Sequence, residues 1–183
     1  MGQVETEMPR TTWLNITKGK IKVKQADEYR YYPGWNAHWV GYGYRTVDDG
    51  AKFGTELHLI LQDGDKVYDL GMGLSKGYGR SFMRCMENID INKPITIYPQ
   101  YKEDEQGKYG WLVVYQDGKQ VEQKYSTKEP GPMPQKEMVP DSDGKEQPNY
   151  AKQTIFLKNL LDTVMKPQLE KLAAGRMYNV SDD

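Results

Sequence analysis

The chain has 183 residues, with 25 Lys plus Arg against 26 Asp plus Glu and a net charge of -1. That length supports one well-buried core with an appendage, and the charge balance excludes a protein coated in basic charge, so any polyanion site is local. The single cysteine, Cys85, excludes an intramolecular disulfide, a CxxC redox pair and a cysteine-rich zinc site, and points to a reducing compartment. No stretch approaches the roughly 20 apolar residues of a membrane helix, and Met1 to Arg10 lacks the apolar core of an export signal. The expectation is a cytoplasmic protein with no membrane partner.

In chain order, residues 1–11 read as a flexible N-terminus. Thr12 to Lys24 is rich in β-formers and ends in alternating Lys18, Lys20, Lys22 and Lys24, which project from one face of an extended strand, as a lysine rail or as a plain solvated face. A long loop is expected over residues 25–36. Ala37 to Val47 and Thr55 to Leu61 follow as strands, the second turning Leu57, Leu59 and Leu61 toward a core. Asp63-Gly64 and Asp117-Gly118 each carry the hairpin signature. Between these turns, Tyr78 to Ile89 spaces Phe82, Met83, Met86 and Ile89 as a short amphipathic helix. Pro94 releases the chain into Ile95 to Tyr101, and a second long loop is expected over residues 101–109.

This order predicts a mainly β protein: a five-stranded OB-like barrel over residues 12–126, with a short helix between strands 3 and 4. Residues 127–148, rich in Pro, Gly and charge, read as a disordered linker. Residues 149–174 then resume as an amphipathic helix, carrying Ile155, Leu157, Leu160, Leu161, Val164, Leu169 and Leu172 and interrupted at Pro167. Residues 175–183 read as a tail. The helix has two available partners, its own barrel or a second copy of the chain, which would make a homo-oligomer.

Chemistry of the catalytic kind is not visible. His38 and His58 lie on predicted strands without a neighbouring ligand cluster, and the glycines at 71, 73, 77 and 79 miss the phosphate-loop spacing because Lys76 stands where the third glycine is needed. Acidic pairs such as Asp48-Asp49 sit in turn-like sequence. The reading is a binding protein, not an enzyme, with no metal and no cofactor.

What remains is a surplus of amphipathic aromatics: 14 Tyr and 4 Trp against 3 Phe. A buried Tyr or Trp must satisfy its polar tip, so the surplus suits a half-wet contact surface. On an unbroken strand, Val40, Tyr42 and Tyr44 share one face while Trp39, Gly41 and Gly43 share the other. The glycine face is expected to turn inward and the tyrosine face outward. Trp39, Tyr42, Tyr44 and Tyr78 are therefore the stacking candidates, and Lys20, Lys22, Lys24, Arg45 and Arg80 the phosphate partners, of single-stranded DNA. A second cluster joins Lys76, Tyr78, Arg80 and Arg84; a third joins Tyr98, Tyr101, Lys102, Lys108, Tyr109 and Trp111. The alternative is a protein-interaction or inhibitory module that engages a partner with the Tyr-rich face and the C-terminal helix.

Three segments resemble a known family. Residues 50–64 (GAKFGTELHLILQDG), 74–82 (LSKGYGRSF) and 115–119 (YQDGK) are similar to phage-type single-stranded DNA-binding proteins with an OB fold, over about residues 12 to 130. The resemblance implies sequence-tolerant coating of single-stranded DNA in replication, recombination or repair, in a host cytoplasm, without a cofactor and alongside replication or recombination proteins. It transfers no individual contact residue. Many such proteins carry a strongly acidic C-terminal tail, where this chain has only Asp182 and Asp183.

Overall fold

The structure is a computed structural model that describes residues 10–48, 53–126 and 131–178. Alternating apolar residues build strands β1 (Thr12–Thr17), β2 (Lys20–Gln25), β3 (Glu28–Tyr32), β4 (Trp35–Asp48), β5 (Phe53–Asp63) and β6 (Lys66–Gly73). Helix α1 (Gly77–Cys85) separates these from β7 (Ile95–Asp104), β8 (Gly107–Gln116) and β9 (Lys119–Gln120). The nine strands form one sheet in the order β3-β2-β1-β6-β5-β4-β7-β8-β9. Every pairing is antiparallel except that of β1 with β6.

The protein is thus mainly β, but its sheet has nine strands and does not close. Within it, β7 returns to pair with β4, which gives the spatial order β7-β4-β5-β6 of a Greek key with α1 in the return connection. The sheet also rolls up. Gly19, in the β1–β2 turn with φ +72°, lies so close to β7 that a Cβ there would stand 3.0 Å from the Tyr101 Cβ.

Turn chemistry explains the extra strands. Lys18 and Gly19 both adopt positive φ (45° and 72°), so the segment read as one strand folds into the β1–β2 hairpin, with Thr17 opposite Lys20. Ala26 does the same at φ 54° and turns part of the expected loop over residues 25–36 into β3. The expected loop over 101–109 is mostly strand as well, because β7 and β8 stay paired out to Asp104 and Gly107. Both Asp-Gly turns occur where the sequence places them: Asp63 pairs with Lys66, and Gln116 with Lys119 across Asp117 and Gly118.

The core lies on the inner face of the rolled sheet: Leu14, Ile21, Val23, Leu57, Leu59, Leu61, Leu70, Ile95, Ile97 and Val114 are essentially inaccessible. α1 closes one side with Phe82 and Met83, and Met86 follows in a single 3-10 turn. Ser81 pins this helix to the sheet, since its Oγ donates to the Gly77 carbonyl (2.6 Å) and accepts from the Leu112 N–H (2.7 Å).

After β9, Met133 is buried in the same core, and residues read as disordered linker form a hairpin of β10 (Glu137–Pro140) and β11 (Glu146–Asn149). Its turn is held by Asp141, whose carboxylate accepts from the Asp143 and Lys145 amides at 2.9 Å. Residues 127–130 of that expected linker, the tail from 179 and the whole of 1–9 lie outside the described residues. The C-terminal helix runs as α2 (Ala151–Leu160), a π segment (Leu161–Met165) and α3 (Lys166–Tyr178). The π segment precedes Pro167, which has no N–H to give to the preceding turn, so the widened turn carries the helix through where a break was expected. Leu157, Leu161, Met165 and Leu169 are buried against the chain's own body, α2 on α1 and α3 on β4. Among the described residues no helix is long and apolar enough to cross a membrane.

Cys85 is 3% exposed, and burial pushes its thiol up to about 12. The expected outcome is a thiol silent to alkylating reagents in the native protein at neutral pH and titrated fully in denaturant. Rapid labelling of the native chain would show that α1 is not packed as described.

Candidate nucleic-acid interface

A single irregularity in β4 decides where its aromatics point. Trp39 pairs with Leu61 but Gly41 pairs with Ile60, so Val40 is the extra residue of a β-bulge. The insertion reverses the alternation beyond it. Trp39, Tyr42 and Tyr44 therefore share the inner face with Leu61, Leu59 and Leu57, while Gly41, Gly43 and Arg45 stand on the outer face opposite Ile60, His58 and Glu56. The expected arrangement, glycines inward and tyrosines outward, is the reverse of the one observed.

Trp39 is corrected outright as a stacking residue. It is 1% exposed, its ring meets Phe82 edge-on at 5.1 Å, and its indole N–H donates to the Gly41 carbonyl at 2.9 Å. Tyr42 and Tyr44 are half-buried beneath the C-terminal helix, and both phenols donate to one Asp162 oxygen, at 2.7 and 2.8 Å. Lys158 closes the cluster: its Nζ donates to the other Asp162 oxygen at 2.7 Å and stands 4.5 Å from the Tyr44 ring centroid. In this arrangement both phenol tips are tied to the C-terminal helix, and the Tyr44 ring is shared with the Lys158 ammonium.

Tyr78 and Arg80 are likewise committed to the fold. The Tyr78 ring lies where a Cβ on Gly110 would be, so only glycine fits opposite it; burial raises its phenol pKa, offset in part by the Gly19 backbone N–H. The Arg80 guanidinium stacks 3.6 Å from the Tyr150 ring centroid and donates to the Ser75 carbonyl at 3.0 Å. It joins α1 to the start of α2. Arg45 remains exposed, on the outer face of β4.

Lys20, Lys22 and Lys24 do share one outward face, because Ile21 and Val23 between them are buried. Lys18 leaves the rail by sitting in the turn. The residues that accompany the rail are not among the stacking candidates chosen from sequence, although Tyr29 and Tyr31 stand there interleaved with Arg30. β3 sets Tyr31 opposite Lys22 and Tyr29 opposite Lys24; Tyr29 and Tyr31 are 56% and 52% exposed, and the Lys22 Nζ lies 3.8 Å from the Tyr29 ring centroid. Trp13 on β1 continues the same face at 55% exposure. Its ring leans edge-on against His58 at 6.0 Å, and His58 is fixed between Asp69 (2.6 Å) and Glu56 (3.3 Å). The available signal was the alternation of Tyr29 and Tyr31 around Arg30, which a loop assignment discards.

The lysines of β2 belong to the set without carboxylate partners, as do Lys66, Lys76 and Lys119 among the described residues. Lys93, Lys102, Lys108, Lys124 and Lys158 are each within 3.1 Å of a carboxylate, whereas among the described residues Lys20, Lys22 and Lys24 have none within 4.0 Å. Also among the described residues, no cluster of three or more His, Cys, Asp or Glu is placed to hold a metal ion.

The Asp162 cluster makes helix docking depend on pH at both ends. Burial pushes the Asp162 carboxyl up, but hydrogen bonds from Lys158, Tyr42 and Tyr44 outweigh it and hold it below the ordinary carboxylate value. Burial and the Asp162 carboxylate raise both phenols. A depressed acid stabilises above its unfolded pKa of about 3.9, and a raised phenol stabilises below about 10. Docking is expected to hold between these limits and to weaken on either side, read by thermal melting across pH; Asp162→Ala is expected to remove most of both limbs. Compared with known proteins, the chain found no match among family models, curated proteins or solved structures, so its fold and its surface chemistry carry the functional reading.

Proposed function

We propose that the protein binds single-stranded DNA without sequence preference, on the outer face of β1, β2 and β3, in the phage-type replication, recombination or repair role that the sequence resemblance implies. The observation that carries this reading is three lysines without carboxylate partners alternating along β2 beside the exposed rings of Trp13, Tyr29 and Tyr31. Rings of this kind stack on any base, and each lysine set against a phosphate releases a counterion. An unpaired strand presents bases for stacking; a duplex hides them.

The five strands β4 to β8 support an OB-like core, because they hold a Greek key with α1 between the third and fourth of them. The contact surface then lies on the added hairpins β1–β3 and not on β4. The protein-interaction reading drew on the Tyr-rich face and the apolar stripe of the C-terminal helix; of that stripe Leu157, Leu161 and Leu169 are engaged by the chain's own body, while Ile155 is 60% exposed.

Titration with oligo(dT), followed by tryptophan fluorescence at two salt concentrations, tests the proposal. Each Lys→Ala change at 20, 22 or 24 is expected to lower the logarithmic salt slope by about 1, uniformly across base sequences. Tyr29→Ala and Tyr31→Ala each lose about 1 to 3 kcal/mol, and Trp13→Phe loses most of the quenching. Affinity indifferent to salt and to the triple lysine variant would sink the reading.

A further inference from the structure

We propose that a groove on the outer face of β7, β8 and β9 is a nucleobase pocket, separate from the lysine face; this rests on the single-strand reading above. The groove measures about 440 Å³ and is lined by Tyr98, Gln100, Val113, Tyr115 and Gln120. Register explains the grouping. Tyr98 faces Val113, and Tyr115 faces Gln120, while the alternate residues Ile97, Pro99, Leu112 and Val114 point into the core.

Its walls are fixed before any ligand arrives. Tyr98 and Tyr115 meet edge-to-face at 5.6 Å and 89°. Gly34 backs the Tyr98 ring so closely that a Cβ there would lie 2.6 Å from it. The Gln100 amide is oriented by its donation to the Pro99 carbonyl at 3.1 Å. No lining residue is charged, so the groove has no ionic partner for a phosphate or an ammonium group. Aromatic walls take a flat ring, and a side-chain amide presents a donor and an acceptor together, which is the pattern of a base edge.

Position joins this groove to the lysine face. Gly19 packs on Gln100 and Tyr101 of β7, and the next residue is Lys20. A strand whose phosphates lie along β2 therefore reaches the groove at the β1–β2 turn. Beyond it, Trp111 and Tyr109 are 40% and 45% exposed and extend the outward row of Tyr115 and Val113 along β8, at about 6.8 Å per step.

The test compares the full chain's affinity for oligo(dT) and for an abasic phosphodiester of equal length, in the wild type and in the Tyr115→Ala and Gln120→Ala variants. The wild type is expected to prefer the base-bearing strand by at least about fivefold. Both variants are expected to lower that preference while leaving abasic affinity and the salt slope unchanged. If Tyr115→Ala also weakens abasic binding, it has damaged the fold, and Gln120→Ala on the exposed edge strand decides. A preference undiminished in Gln120→Ala overturns the groove and leaves strand binding standing; a wild type that binds neither oligomer overturns both.

Discussion

The bulge at Val40 is the constraint on which the arrangement of this protein turns. One inserted residue changes which face of β4 each later side chain occupies. With Trp39 filling the core, the one extra position brings Tyr42 and Tyr44 to that same face instead of the opposite one. The outer face of β4 is left with Gly41 and Gly43, and the inner face acquires two phenols at its margin. A buried phenol needs a partner, and Asp162 on the C-terminal helix supplies it to both. The position of that helix follows from the bulge.

The helix in turn settles the character of the body. Its leucines and Met165 complete the core over β4 and α1, so that the helix from Ala151 through Leu169 is part of the folded unit and not a tethered arm. A cavity of about 340 Å³ stays open beside the contact, between Tyr42, Tyr44, Leu169 and Ala173. The polar cluster around Asp162 is partly exposed, and its worth is correspondingly screened; the buried apolar stripe carries most of the attachment.

With the aromatics of β4 turned inward, the exposed aromatics lie on β1 and β3 and on β8. On β2 the three lysines keep their charges unpaired beside exposed rings, a grouping that composition does not reveal. On β7–β8 the aromatics come with amides in place of charges. The two surfaces meet at Gly19, where the absence of a side chain allows the hairpin to rest on β7. The division suits a ligand whose charge and whose rings are recognised by different groups.

Much of this was legible in sequence, where the signal is local. The leucines at 57, 59 and 61, both Asp-Gly hairpins, the short helix with Phe82 and Met83, and the C-terminal apolar stripe are written in alternation and turn residues, and each folds accordingly. The lysine alternation in β2 is equally local and keeps its outward face. Faces and partners beyond a single strand are a different matter. Periodicity cannot register a bulge, because pairing with β5 creates it, so alternation alone places Tyr42 and Tyr44 on the wrong side and leaves Trp39, on the right side, as a stacking candidate that the core in fact absorbs. The turns at Lys18 and Ala26 lack the usual glycine-led signature at their first positions, and β3 with its two exposed tyrosines disappeared into a loop. Tertiary structure alone decided which aromatics remain on the surface, because exposure depends on what the rest of the chain lays over them.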